Sequence, residues 1–402
     1  MTTTMNAIPV EVKGLAELVA GSLGEQRSKA MERLAHLPFP SHKDEAWRRT
    51  DPELVRPAGE AVLKPRSTYS TLGGIEVPSG VTFGTMEQHA ANAKLFSVNS
   101  LERANMFGAL NAAAFQGGTV MTVGKDVSTG DGALLVEHHY PSGVGSMAAP
   151  RTYLEVGAFS NVTLVEYFTA DEGELLAIPS VEVHVGEGAK FRYIFVNTWN
   201  NQARVVPQIH ATVEKDAHFQ LMFAGFGTKL TKAFFESDLV GEGCKSEVLG
   251  MVLGQGRQHY DVDAQQNHRV GSTVSDVLCH VALTDRARSV FAGNILCVPG
   301  AQKIDGYQQN RNLLLSDKAR ADSMPRLEIE ANDVRCTHGA SFTTYDPGQR
   351  FYLQSRGLDK FEAEHMLVSG FFASVSERMD HEVVSEWLAD KVEAKMASVL
   401  GK

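Results

Sequence analysis

The sequence predicts a mostly-β fold: a central parallel β-helix flanked by N-terminal and C-terminal α-helical regions. Apolar residues recur at helical intervals only towards the two ends of the chain. From Thr119 to about Arg350 they fall instead into short alternating segments such as VEVHV (181 to 185), FRYIFV (191 to 196) and RLEIE (326 to 330), each bounded by Gly, Asp or Asn. The turns before several of these segments also resemble one another at a near-constant interval.

The head is helical in pattern. Val12, Leu15, Leu18, Val19 and Leu23 repeat every three or four residues, and Ala30, Leu34 and Leu37 continue the stripe until PFP breaks it at Pro38. A second helical run through Phe107, Leu110, Ala114 and Phe115 stops at Gly117-Gly118, a natural terminus. These signals define an N-terminal helical region, 1–118.

In the β region, 119–350, VGAFSNVTLVEYF, VGEGAKFRYIF, VEKDAHFQLMF and VGEGCKSEVLG align on Val162, Ala189, Ala217 and Cys244, 27, 28 and 27 residues apart. A weaker echo recurs at Ala287 and Ala319, after 43 and 32 residues. A small residue returning at a fixed interval after a turn suits stacked rungs, which place equivalent side chains in one inward ladder, better than it suits a β-sandwich. Cys244 is then a rung of the ladder and an inert thiol.

Helical spacing returns in the C-terminal region, 351–402. Asp359 with Glu362 three residues on is a capping pair, and Ala363, Met366, Leu367, Gly370 and Phe371 share a face. Val383, Val384, Trp387, Leu388 and Val392 form a second amphipathic run. This two-helix tail either caps the open end of the solenoid or offers a docking surface.

The chain has 402 residues, 43% of them apolar, and so can bury substantial cores. A net charge of −10 and a pI near 5.8 disfavour nucleic acid or an anionic membrane as partner. The opening MTTTMNAIPVEVKG lacks the basic and apolar blocks of an export signal, and no apolar run is long enough to span a bilayer, so a cytoplasmic location is expected. Cys244, Cys279, Cys297 and Cys336 lie 35, 18 and 39 residues apart with no C-x-x-C pair, so any metal is held by few ligands or with help from another chain.

The chemistry-bearing stretch is DVRCTHGASF, residues 333 to 342. On a strand Cys336 and His338 emerge from one face about 7 Å apart. Such a pair is either a packed structural couple or part of a ligand set, and two ligands are too few for a four-coordinate site within one chain. His138 and His139 point to opposite faces of a strand and form no joint site; His268 suits a buried, hydrogen-bonded role. Asp261 and Asp263, two apart on one strand face, admit a rival function as a β-helix polysaccharide lyase or hydrolase, against the plainer expectation of a solvated acidic face.

The segment AQKIDGYQQNRNLLLSDKARADSMPRLEIEANDVRCTHGASF, with FYLQSRGL and EAEHMLVSGF after it, resembles the C-terminal core of the SufB/SufD family, scaffold components of the SUF iron–sulfur cluster assembly system. DEAWRRTDPE near residue 44, ALNAAAF near 109, PRTYLEVGAFSNVTLVEYF from 150 and HRVGSTVSDVLCHVALTDRARSVFAGNI from 268 agree in order. Cys336, Thr337, His338, Gly339 and Ala340 match the pattern of the SufD branch. The cysteine that the SufB branch carries near QQNRNLLLS is missing, with Asn310 and its neighbours there instead. After HGAS the chain reads FTT where many relatives have a nearby glycine, so the local turn is expected to differ.

The resemblance implies a non-enzymatic subunit of a SufBCD complex with a right-handed central β-helix. It implies pairing with a SufB-like subunit through the β-helices and binding of a SufC-like ATPase through the C-terminal helices, with Arg356, Gly357, Met366, Phe371 and Phe372 as contact residues. His338, and with less weight Cys336, become ligands to transient iron or an iron–sulfur cluster at the SufB interface, with nothing bound stably by this chain alone. A homodimer is expected when the partner is absent, because a surface shaped for a homologue is nearly shaped for itself. The sequence has no G-x-x-x-x-G-K-[ST] motif, so ATP hydrolysis would come from the partner.

Overall fold

The computed structural model describes residues 10–20, 23–86, 88–89, 105–344 and 346–400. Helices α1 (Leu15–Ala20), α2 (Gly24–Ala35) and α3 (Met106–Ala114) form in the head. Asn105 caps α3 by accepting from the Phe107 and Gly108 amides, and every residue of this helix is buried. At its other end Arg27 donates to the Ala113 and Phe115 carbonyls, placing a cation where the helix leaves acceptors unpaired.

The head is not purely helical. Strands Arg66–Leu72 and Val81–Thr85 run antiparallel against Ala133–Tyr140 and Thr119–Val123, the first strands of the two solenoid sheets. RSTYSTL is polar and half-exposed at alternate positions, so it carries no apolar signal.

Beyond that point almost every pairing is parallel, in sheets of fourteen and nine strands that wind into a β-solenoid of about eight turns. The rung ladder exists with a small correction. Lys190, His218, Lys245 and Val274 align, so the residues before them, Ala189, Ala217, Cys244 and Thr273, stack, and all are buried. Val162 lies two positions off this ladder; the equivalent residue is Ser160, because Lys190 pairs with Asn161. Ala287 and Ala319 belong to a different corner, ahead of strands Arg288–Cys297 and Arg320–Ile329 in the other sheet, which explains their irregular spacing.

Proline divides the early turns. Pro150, Pro179 and Pro207 each separate a three-residue strand (Ser146–Ala148, Leu175–Ala177, Ala203–Val205) from a longer one, because proline has no amide to give the ladder. Where Ala233 stands in place of proline, Leu230–Leu239 is continuous.

The nine-stranded sheet is apolar on both faces, as FRYIFV reads. Its inner row joins an aromatic-rich core through Phe168, Phe191, Phe195, Phe219 and Phe223. Its outer row, including Ile194, Met222, Leu249, Met251 and Leu278, packs under helices α5 (Lys360–Met379) and α6 (Glu382–Leu400). Asp359 and Glu362 form the expected reciprocal capping box of α5, each backbone N–H donating to the other side chain at 2.8 Å. Arg192 donates to the Met379 and Asp380 carbonyls at the far end of α5. The tail therefore lies along the flank of the solenoid and does not cover its end. FYLQSRGL, which precedes the capping pair at Asp359, falls largely in a further helix, α4 (Pro347–Ser355).

Candidate metal centre

The last strand, Val334–Thr344, pairs with Ile304–Leu314 so that Cys336 stacks on Gly306, His338 on Gln308, Ala340 on Asn310 and Phe342 on Asn312. The lower four are buried, and their alternation marks the row facing the solenoid interior. Among the described residues no further turn lies over the upper four. Cys336 is half-buried, His338 is exposed and Phe342 is 51% exposed. The strand continues straight to Thr344. The other sheet ends on Arg320–Ile329, where Pro325 removes one donor from the edge.

The interior changes along its length. The column ending in Cys336 runs Phe191, Phe219, Ser246, Ser275, Gly306; the column ending in His338 runs Leu221, Val248, Val277, Gln308. A Cβ on Gly306 would sit 3.2 Å from Cys336 Sγ and 3.1 Å from Ile295 Cδ1, so the glycine leaves the thiol its room. A Cβ on Gly339 would meet nothing within 4 Å, so this chain's own packing does not require glycine there.

Facing Cys336 is Cys297, the last residue of Arg288–Cys297 in the opposite sheet, with the two Sγ atoms 3.8 Å apart. The hydrogen bond from Cys297 lowers the Cys336 thiol, and burial opposes that shift; Cys297 keeps the proton, and the same bond together with burial raises it. Cys336 is thus the first of the two to become a thiolate. The other cysteines are enclosed singly, burial pushing Cys244 up to about 11 and Cys279 up to about 12, which leaves them unreactive. Sequence spacing does not single out Cys297: 39 residues separate it from Cys336, and only the winding brings the two together.

The remaining candidates resolve differently. His138 and His139 do face opposite ways: His138 bonds Glu166 inside the solenoid, and His139 bonds Asp171 outside. His268 is buried between Thr273 and Ser275, and burial lowers it to about 4. The acidic pair is not a solvated face. Asp261 is buried, 2.8 Å from Lys232 Nζ, and accepts from Thr50. The space beside it and Asp263 is about 20 Å³, room for a water and not for a sugar ring. His210, Glu236 and Asp238 bring their ligand atoms within 4.8 Å of one another. However, Arg269 and Asn267 already donate to Asp238, and a guanidinium fills the cation's role.

In the tail, Arg356 and Gly357 are exposed after α4, and Met366 is 51% exposed. Phe372 is the correction. At 2% exposure it packs into the interface between α5 and the solenoid and presents nothing to a partner. Phe371 is half-buried, stacked on His280 at 4.6 Å, and its carbonyl accepts from His280 Nδ1. The exposed apolar groups are Phe351 (73%) and Tyr352 (56%) on α4, with Arg356 over the Tyr352 ring. They sit ahead of the two helical runs that the sequence marks.

Two thiols 3.8 Å apart lie at the uncovered end, with His338 two residues beyond Cys336 on the same strand; thiolate and imidazole are donor types that suit iron, and so few of them leave a four-coordinate site incomplete. The family model for the SUF system FeS cluster assembly SufBD core domain matches residues 139–371. A SufBD-family iron–sulfur cluster assembly protein of Synechocystis sp. is 25% identical over 92% of this chain and 92% of its own. The iron–sulfur cluster assembly protein SufD of Escherichia coli is 25% identical over 91% and 92%, and that of Bacillus subtilis 29% identical over 72% and 66%.

Proposed function

The chain belongs to the SufBD family of the SUF iron–sulfur cluster assembly system, and from that premise we propose that it is a SufD-like scaffold subunit, a non-catalytic partner in cluster assembly and iron acquisition. The observation that carries the proposal is the uncovered last turn. An eleven-residue strand with one edge unpaired, and with Cys336, His338 and Phe342 in a row that an additional turn would bury, is a surface made for another solenoid. A SufB-like subunit, expected to carry a homologous solenoid, is the proposed occupant, and it would bring the ligands this chain lacks. Iron, or a nascent cluster, is the cargo at that junction, with His338 and Cys336 as this chain's ligands.

The tail has a second role, docking a SufC-type ATPase. Phe351, Tyr352 and Met366, beside Arg356 and Gly357, form its exposed part, while Phe372 holds α5 to the solenoid. Without SufB the same uncovered end supports a homodimer. Among the described residues no helix is long and apolar enough to cross a membrane, in keeping with a cytoplasmic assembly.

His338→Ala tests the site. In the co-expressed complex, folding, SufB pairing and ATPase binding should persist while iron and acid-labile sulfide fall at least about tenfold. Cys336→Ala should cost less, because Cys297 remains beside it. Normal cluster content in the His338→Ala complex would make the histidine a merely structural residue.

A further inference from the structure

We propose that Cys297 and Cys336 form a two-thiolate chelate at the open end of the solenoid, able to hold a thiophilic divalent cation, ferrous iron in its working setting, on this chain before any partner completes the coordination. The inference rests on the function above for the identity of the cargo, and adds to it a buried ligand from the opposite sheet.

The separation of the sulfurs is the first ground. Metal–thiolate bonds of about 2.3 Å meeting at the tetrahedral angle place two sulfurs about 3.8 Å apart. Cys297 Sγ and Cys336 Sγ are 3.8 Å apart, so an ion can bridge them with little movement of either strand. The room around the thiol is the second. In its column from Phe191 to Cys336, Gly306 alone lacks a side chain, and it stands directly beneath Cys336, where a methyl group would crowd the sulfur at 3.2 Å. The surroundings are the third. Ile295, Ile304, Val298, Leu327 and Val334 cluster around the pair, and an apolar shell strengthens the attraction between thiolates and a cation by excluding water. Cys244 and Cys279 make a useful contrast within the same chain, since each is enclosed in the core away from the open end.

Binding replaces two S–H bonds by two S–metal bonds and releases up to two protons to solvent, with no electron transferred. The outer coordination positions stay open towards the uncovered face, where His338 or a partner's ligands can enter.

The test uses the full chain alone, reduced with a phosphine and titrated anaerobically with cobalt(II), whose thiolate charge-transfer band counts bound sulfurs. The wild type should show a two-thiolate band. Cys297→Ser and Cys336→Ser should each cut the band by about half or more and weaken binding at least about tenfold, whereas Cys279→Ser should leave it unchanged. A Cys297→Ser protein with an unaltered thermal transition and wild-type cobalt binding would overturn the proposal, as would a wild type with no thiolate band. Should Cys297→Ser fail to fold, X-ray absorption of the zinc-loaded wild type decides: two sulfur neighbours at about 2.3 Å support the chelate, and one or none refutes it. The scaffold function stands or falls separately. Cluster loss in His338→Ala without any thiolate band sinks only the chelate; a sound chelate in a complex indifferent to both Cys336 and His338 sinks only the scaffold site.

Discussion

The two ends of the solenoid are built on opposite plans. At the N-terminal end Arg66–Leu72 and Val81–Thr85 turn antiparallel to the first strands of both sheets, and α1 to α3 pack on the flank beside them. At the C-terminal end the stack stops on Arg320–Ile329 and Val334–Thr344, which keep the parallel register of the turns below and, with no antiparallel strand among the described residues laid against them, pair on one side only. The contents follow the same division. Near the closed end Glu166 accepts from Thr119, Thr152 and Tyr193 and bonds His138 within an aromatic interior. Near the open end the inward row carries Gln308, Asn310 and Asn312 and then Cys336 and His338. A solenoid must stop edge pairing wherever it ends on itself, and can leave an end bare where a partner takes over the capping. The lesson is that polar residues in the interior beneath an uncovered edge distinguish the end proposed to meet a partner.

Breaking the closed end should give the largest effect on stability. Burial alone would raise the Glu166 carboxyl, but its bonds from His138, Tyr193 and Thr152 outweigh that and hold it below the ordinary value. Glu166→Ala leaves those partners buried and unpaired, and should destabilise the chain by about 3–5 kcal/mol, read from the denaturant midpoint. A loss no greater than that of an exposed substitution would mean that the network contributes nothing to closure.

The polar interior predicts a pH dependence two turns below the open end. His268 is lowered to about 4 in the folded chain against about 6.5 when unfolded. Above about 6.5 it is neutral in both states and costs nothing; as pH falls from there to about 4 only the unfolded chain takes up the proton, so stability declines by about 3 kcal/mol and then levels. His268→Asn should flatten that part of the stability profile, and an unchanged slope would show that the histidine is hydrated in the fold.

At the bare edge itself Phe342→Ala should leave the thermal transition in place, since the ring is 51% exposed, and weaken SufB pairing by about 2 kcal/mol, roughly thirtyfold in Kd. Undiminished pairing would place the junction elsewhere. Met366→Glu should have the smallest effect, about 1–2 kcal/mol in ATPase binding with the solenoid intact; calorimetry of the mixed subunits measures it.

The architecture was legible wherever the interval was regular. Ala189, Ala217 and Cys244 are true rungs, whereas Val162 slipped by two because the rung at Ser160 is polar and offers no apolar landmark. The head strands went unseen for a related reason: RSTYSTL buries too little apolar surface to show a period. At the site, Cys336 and His338 could be placed on one face because a strand alternates strictly. Cys297 could not, since contact across two sheets depends on how many residues each corner consumes. Phe371 and Phe372 were both expected at a partner, but adjacent residues on a helix point to different sides and the pattern does not reveal which side the solenoid covers; the packing beneath α5 takes Phe372.

The position of the C-terminal hairpin matters beyond docking. A stack of turns whose contacts reach only the next turn unravels piecemeal, each turn melting with a free energy of its own. Helices α5 and α6 share one apolar cluster with residues from Ala133 and Leu135 through Leu249 to Leu313, so they act as a splint across most of the stack. Opening a middle turn then requires lifting the splint from its neighbours as well. Amide exchange should accordingly show one cooperative block from about residue 133 to 314, and within the solenoid the last two strands, which the splint does not reach, should exchange fastest.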